Sequence, residues 1–85
     1  MINSGFTPIP NAILDLMPEV SDECFRTLYA LAFKTANGHE VMDLAELSGA
    51  TGLSYPKVIA GIEEAEGRGF ITRNVQGFSL AESLR

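Results

Sequence analysis

The residues that could do chemistry in this 85-residue chain are few, and they form no recognisable catalytic set. His39 has no cysteine, aspartate or second histidine at metal-ligand spacing, so a histidine at a strand edge or in a turn is the simpler interpretation. Cys24 is the single cysteine and is interpreted as a small apolar helix residue. Glu63, Glu64 and Glu66 are predicted to form a solvated face. We therefore predict no enzyme, no metal site and no cofactor.

Lys57 and Arg73 have the side chains best suited to contact phosphate groups. Basic residues supply much of the affinity for nucleic acid, and a net charge of −5 opposes such binding. The excess negative charge lies in residues 1–50, which hold seven carboxylates and two basic side chains, whereas residues 51–85 hold four of each. The neutral second half is thus the better candidate for contact with DNA.

Prolines set the predicted structure at the start of the chain. Pro8 and Pro10 fix their own φ angles and disfavour a helix just before them, so residues 1–10 are predicted to form an extended arm. A short helix follows, with an apolar stripe that includes Ile13, and Pro18 ends it.

The second predicted helix is apolar over an unusually wide arc. Ser21 suits its N-cap, and the helix is expected to run to about Ala36. Tyr29 and Phe33 extend the core stripe sideways, whereas a helix at a free surface shows a narrower stripe. We expect either the N-terminal arm or another copy of the chain to cover this extra face.

Capping and turn residues predict two more helices. Asp43 and Glu46 form a capping box that opens a helix over residues 44–50, after a short strand at residues 39–42. Gly52 then permits a tight turn, and Ser54 is predicted to cap a further helix.

A hairpin is predicted to complete the chain. Residues 70–73 and 78–80 have the composition of strands, and the turn residues between them include Asn74 and Gln76. The predicted fold class is mainly α with a small β-hairpin, in the order α-α-β-α-α-β-β, within a single domain spanning residues 1–85.

The segment from Leu44 to Ile71 resembles the winged helix-turn-helix of bacterial and phage proteins. Its glycine turn joins two short helices, and the second helix leads directly into the hairpin, or wing. The arm at residues 6–11, Phe-Thr-Pro-Ile-Pro-Asn, is similar to the N-terminal domains of DnaD-type primosomal and phage replication proteins. This resemblance implies a domain that binds origin DNA or assembles replication proteins into oligomers through the arm and the wing.

Two functions are therefore expected, and the residues leave both open. The first is DNA binding by an oligomeric replication or regulatory protein; the second is an acidic protein-interaction module without intrinsic DNA binding, which forms oligomers or engages a host factor. The second helix of the motif is poor in Arg, Asn and Gln, which read base edges, and Ile59 and Ala60 suit either a thymine methyl or a protein. The predicted DNA-binding residues are Ser54, Tyr55, Lys57, Ala60, Arg73, Asn74 and Gln76, and the predicted partner or oligomer interface is Phe6, Ile9, Ile13, Tyr29, Phe33 and Ile59.

The cysteine content and apolar runs predict the location of the protein. One cysteine cannot form an internal disulfide, which is typical of a reducing compartment. The apolar runs are much shorter than the roughly twenty residues that a membrane span needs. We predict a cytoplasmic protein without a membrane partner.

Overall fold

Four helices and one two-stranded antiparallel hairpin make up residues 10–84, which are the residues that the computed structural model describes. A short 3-10 helix, Glu82–Leu84, follows the second strand. The helices are α1 (Asn11–Leu14), α2 (Asp22–Ala36), α3 (Leu44–Thr51) and α4 (Tyr55–Gly67), and the strands are β1 (Ile71–Asn74) and β2 (Gly77–Leu80). The fold is therefore mainly helical with a small hairpin, as the sequence predicts.

Side-chain caps determine where α2 and α3 begin. The backbone N–H of Cys24 donates to Ser21 Oγ over 3.1 Å at the start of α2. Asp43 and Glu46 form the complete capping box of α3, with N–O distances of 2.8 and 3.0 Å. Gly52 ends α3 with a φ of 74°, in the left-handed region that glycine adopts without strain. These predicted boundaries are confirmed.

The segment before α3 forms less strand than predicted. Met42 alone pairs with Phe78, through two backbone hydrogen bonds of 2.9 and 2.8 Å, and this is an isolated bridge. The backbone N–H of His39 donates to the Lys34 carbonyl at the end of α2, and Asp43 already caps α3. The predicted strand at residues 39–42 is therefore wrong. His39 is still bonded to the end of α2 and Asp43 belongs to the start of α3, and the short segment between them forms only one bridged pair.

The core lies where α2 meets α3, α4 and the hairpin. Gly61 allows α4 to approach α2 closely, because any Cβ at this position would lie only 2.6 Å from the carbonyl oxygen of Glu23. None of the helices within residues 10–84 combines the length and apolar character needed to cross a membrane. The largest fully buried side chains are Ile13, Leu28, Leu31, Met42, Leu47, Ile62, Leu80, Val58, Thr27 and Cys24.

Ile13 is not available to a partner. It was predicted as an interface residue from the apolar stripe of the first helix, but its exposed fraction is 0%. The α1 helix is only four residues long, and Ile13 anchors it in the core beside α2. This interface prediction is wrong, since the side chain already has its apolar contacts within the chain.

Candidate functional site

The first half of α4 presents a continuous exposed surface. Val58, Gly61 and Ile62 face the core, which leaves residues 54–57, Ile59 and Ala60 on the outside of the helix. Tyr55 is 49% exposed and Ile59 is 42% exposed. We call this the α4 surface, and it consists of Ser54, Tyr55, Pro56, Lys57, Ile59 and Ala60.

Carboxylates are absent from the α4 surface. Lys57 is the only charged residue between Ser54 and Ile62, and the glutamates of α4 begin at position 63. The N-terminal end of a helix also carries a partial positive charge from its unpaired N–H groups. The start of α4 is thus locally positive in a chain of net charge −5.

Ser54 occupies the N-cap position of α4 without capping it. Its backbone φ and ψ of −65° and 160° are those of an N-cap, but its side chain makes no capping hydrogen bond. The sequence prediction of a serine cap is therefore wrong in this detail. The N–H groups of Tyr55 and Lys57 lack a capping side chain, and Pro56 has no N–H to donate.

The later glutamates of α4 are engaged within the protein. Ser21 Oγ donates to Glu64 Oε1 over 2.6 Å, and the Ser21 N–H donates to Glu64 Oε2 over 3.2 Å. These hydrogen bonds, the side-chain one first, lower the pKa of Glu64. Glu66 is bound by Arg73, so these two carboxylates of the predicted solvated face are partly exposed and paired within the protein, whereas Glu63 is exposed.

Arg73 is paired with a carboxylate. Its Nε and Nη2 donate to the two carboxylate oxygens of Glu66 over 2.9 and 2.8 Å. Its guanidinium carbon also lies 5.0 Å from the centroid of the Phe78 ring on the neighbouring strand. The hydrogen bond from Arg73 lowers the pKa of Glu66. A phosphate would have to compete with Glu66 for this predicted contact.

The hairpin loop is held by Asn74. Its Oδ1 accepts from the N–H groups of Gln76 and Gly77 over 2.9 and 3.1 Å, which closes a two-residue loop. Asn74 thus supports the turn, while Gln76 is exposed beside it. The sequence prediction missed Val75, whose exposed fraction of 104% places an apolar side chain at the tip of the hairpin.

Ile59 lines a different surface from Tyr29 and Phe33, two other members of the predicted interface. It lines a depression of about 290 Å³ between α4 and the hairpin, together with Leu44, Ile62, Glu63, Arg73 and Phe78. Tyr29 and Phe33 line different depressions, beside α2. The predicted interface is thus divided between two surfaces, and its members Phe6 and Ile9 lie outside the described residues.

A second candidate site runs along α2. Two depressions, each of about 380 Å³, share Tyr29, Ala30 and Ala50. Tyr29 and Phe33 are both 41% exposed, which agrees with the wide apolar arc that the sequence predicts. Ala50 of α3 was not predicted, because only the packing of α3 beside α2 brings it here. We call this the α2 groove, lined by Phe25, Arg26, Tyr29, Ala30, Phe33, Lys34, Ala50 and Thr51.

The two residues that could carry other chemistry have structural surroundings. His39 Nε2 lies 3.2 Å from Glu46 Oε2 at the start of α3. Cys24 is fully buried, and desolvation raises the pKa of its thiol to about 11. Within residues 10–84, no three His, Cys, Asp or Glu side chains are grouped so that they could hold a metal ion.

Comparison with family models, curated proteins and solved structures finds no match to this chain.

Proposed function

We propose that this chain is a DNA-binding domain of the winged helix-turn-helix type, from a replication or regulatory protein, and that it contacts DNA through the α4 surface. The observation that carries the proposal is the exposed, carboxylate-free first half of α4, which follows the turn at Gly52. In helix-turn-helix proteins, the second helix enters the major groove with its N-terminal residues against the bases. The hairpin corresponds to the wing.

Phosphate contacts are expected at the beginning of α4. The uncapped N–H groups of Tyr55 and Lys57 can donate to a phosphate oxygen, and the Ser54 hydroxyl lies next to them in sequence. The Lys57 ammonium adds the charge that displaces a counterion from DNA. Arg73 would add a second contact only after it exchanges Glu66 for phosphate.

The α4 surface offers little means of reading sequence. Tyr55 can form one hydrogen bond, and Ala60 can contact a thymine methyl, but bidentate contacts to base edges come mainly from Arg, Asn and Gln. Affinity in this proposal comes mostly from the DNA backbone, so binding by one copy is weak and depends strongly on salt.

Fluorescence anisotropy with a labelled duplex, over a series of salt concentrations, tests this proposal. The test variant is Lys57→Ala, and the control is Ala12→Glu, which makes the same change in net charge on the exposed side of α1. We expect Lys57→Ala to weaken binding and to reduce the slope of log K against log salt by about 1, whereas Ala12→Glu keeps the wild-type slope. Absence of wild-type binding at low salt, or equal slopes for the two variants, contradicts the proposal.

The α2 groove favours a second candidate function, an acidic protein-interaction module. An apolar surface with two aromatic side chains that are each 41% exposed is typical of a protein contact rather than a DNA contact. A domain that forms a protein complex through this groove and shows no salt-dependent DNA binding would have this function alone.

A further inference from the structure

We infer that the α2 groove is the surface through which two copies of this chain form a dimer, with their α2 helices running in opposite directions about a two-fold axis. This inference does not depend on DNA binding. It names a second copy as the partner and specifies how the two helices are oriented.

The α2 groove is complementary to itself. Tyr29 and Phe33 project from α2 as partly exposed aromatic side chains, while Ala30 and Ala50 leave depressions of about 380 Å³ beside them. A two-fold contact places the same patch of both copies face to face, so each copy must supply both the projections and the depressions. The α2 groove has both, and filling the depressions removes the aromatic surface from water.

The charges around the α2 groove permit two acidic chains to approach. Residues 1–50 carry seven carboxylates but only two basic residues, Arg26 and Lys34. Both basic residues line the groove. Arg26 Nε also lies 2.9 Å from Asp22 Oδ2, an exposed ion pair that leaves Asp22 accessible at the start of α2. Among residues 10–84, no carboxylate lines the groove, so contact at this surface does not bring acidic lining residues of two chains of net charge −5 against each other.

The ends of α2 determine the orientation of the two helices. Asp22 begins α2 and Lys34 lies in its last turn, a separation of about 18 Å at 1.5 Å per residue. Their midpoint is position 28, one residue from Tyr29 at the centre of the groove. Helices that run in opposite directions and cross there place Lys34 of each copy near Asp22 of the other. Helices that run in the same direction would instead place equal charges opposite each other.

Sedimentation equilibrium of the 85-residue chain over a wide concentration range tests the dimer. We expect a concentration-dependent monomer–dimer equilibrium, which Ala50→Arg weakens at least about 30-fold because the arginine fills the groove. Ala45→Arg is the matched control: it makes the same change on α3 at an exposed position that does not line the groove. A wild-type chain that remains monomeric throughout, or equal dimerisation of both variants, overturns the inference.

A charge exchange tests the orientation. Lys34→Asp should weaken the dimer about fivefold or more, since it removes two ion pairs and places acidic groups opposite each other. The double variant Asp22→Lys/Lys34→Asp should restore the association, and thermal denaturation of each variant verifies that it is folded. Failure of this rescue in folded protein excludes the opposed arrangement.

Removal of residues 1–9 distinguishes a second copy of the chain from the chain's own N-terminal segment as the occupant of the α2 groove. If a second copy fills the groove, the shortened chain keeps the wild-type dimer and its sensitivity to Ala50→Arg. If the chain's own N-terminal segment fills it, removal of residues 1–9 turns a monomer into an associating species. That result overturns the inference, and neither result depends on whether the domain binds DNA.

Discussion

Replacement of Gly61 by alanine should destabilise the fold by an amount that follows from the packing of α4 on α2. A Cβ at this position would lie 2.6 Å from the Glu23 carbonyl oxygen, 2.8 Å from the Glu23 carbonyl carbon and 3.0 Å from Thr27 Oγ1. Two of these atoms are backbone and cannot rotate away. The carbonyl also accepts a hydrogen bond of 2.9 Å from Thr27 Oγ1, so a local shift of α2 would strain that interaction.

Two opposing effects determine the size of this change. Overpacking typically costs about 1–3 kcal/mol, and contacts of 2.6 and 2.8 Å to backbone atoms place this site in the upper half of that range, at about 2–3 kcal/mol. Alanine favours a helix interior over glycine by about 1 kcal/mol, and this gain offsets part of the cost. We therefore expect a net loss of about 1–2 kcal/mol in the free energy of unfolding. For a domain of this size, such a loss lowers Tm by about 5–15 °C.

Urea and thermal denaturation followed by circular dichroism measure this effect. The matched control is Gly49→Ala, also in a helix, where an added Cβ meets no heavy atom within 4 Å. The free energy of unfolding of this control should rise by about 0.5–1 kcal/mol, from helix propensity alone. If Gly61→Ala is as stable as the wild type or more stable, the close approach of α2 and α4 described above is incorrect.

Two further predictions concern titratable groups. Hydrogen bonds from Ser21 lower the pKa of Glu64 below its ordinary 4.5, so their stabilising effect is present above that pH and is lost as the pH falls through the folded pKa. Glu64→Gln removes this carboxylate, whereas the control Glu63→Gln keeps it and its hydrogen bonds to Ser21. Tm should therefore fall more steeply below pH 4.5 in Glu63→Gln than in Glu64→Gln. Equal slopes of Tm against pH in the two variants would contradict this. Cys24 is buried and its thiol has a pKa of about 11, so little reactive thiolate is accessible at pH 8. Its reaction with Ellman's reagent at pH 8 should be at least about 100-fold slower in folded than in urea-unfolded protein. Comparable rates in the two states would exclude a buried thiol.

The sequence was sufficient for those parts of the fold that depend on neighbouring residues. Asp43 and Glu46 are three positions apart, and their reciprocal capping bonds require only the first turn of α3. Gly52 ends α3 through its own backbone conformation, and Asn74 closes a turn two and three residues ahead. Because such interactions form within one turn of chain, residue type and spacing predict them.

The candidate sites were only partly predictable, because charge and exposure depend on contacts between distant elements. Arg73 is basic in the sequence, yet the packing of β1 beside α4 pairs it with Glu66. Ile13 has the character of an interface residue, yet α1 buries it against α2. The side chain that engages Glu64 lies 43 positions away, at Ser21. No local pattern encodes these pairings.

The sequence by itself determined the order of the helices, the hairpin, most of their boundaries and the apolar character of α2, since these follow from local hydrogen bonds and from side-chain periodicity. Only the tertiary structure decided which predicted residues remain available to a partner. Lys57 stays exposed, Arg73 is paired, and Ala50 joins Tyr29 in one groove. The reason is that packing brings together side chains that are remote in sequence, and burial and charge pairing are properties of that packing.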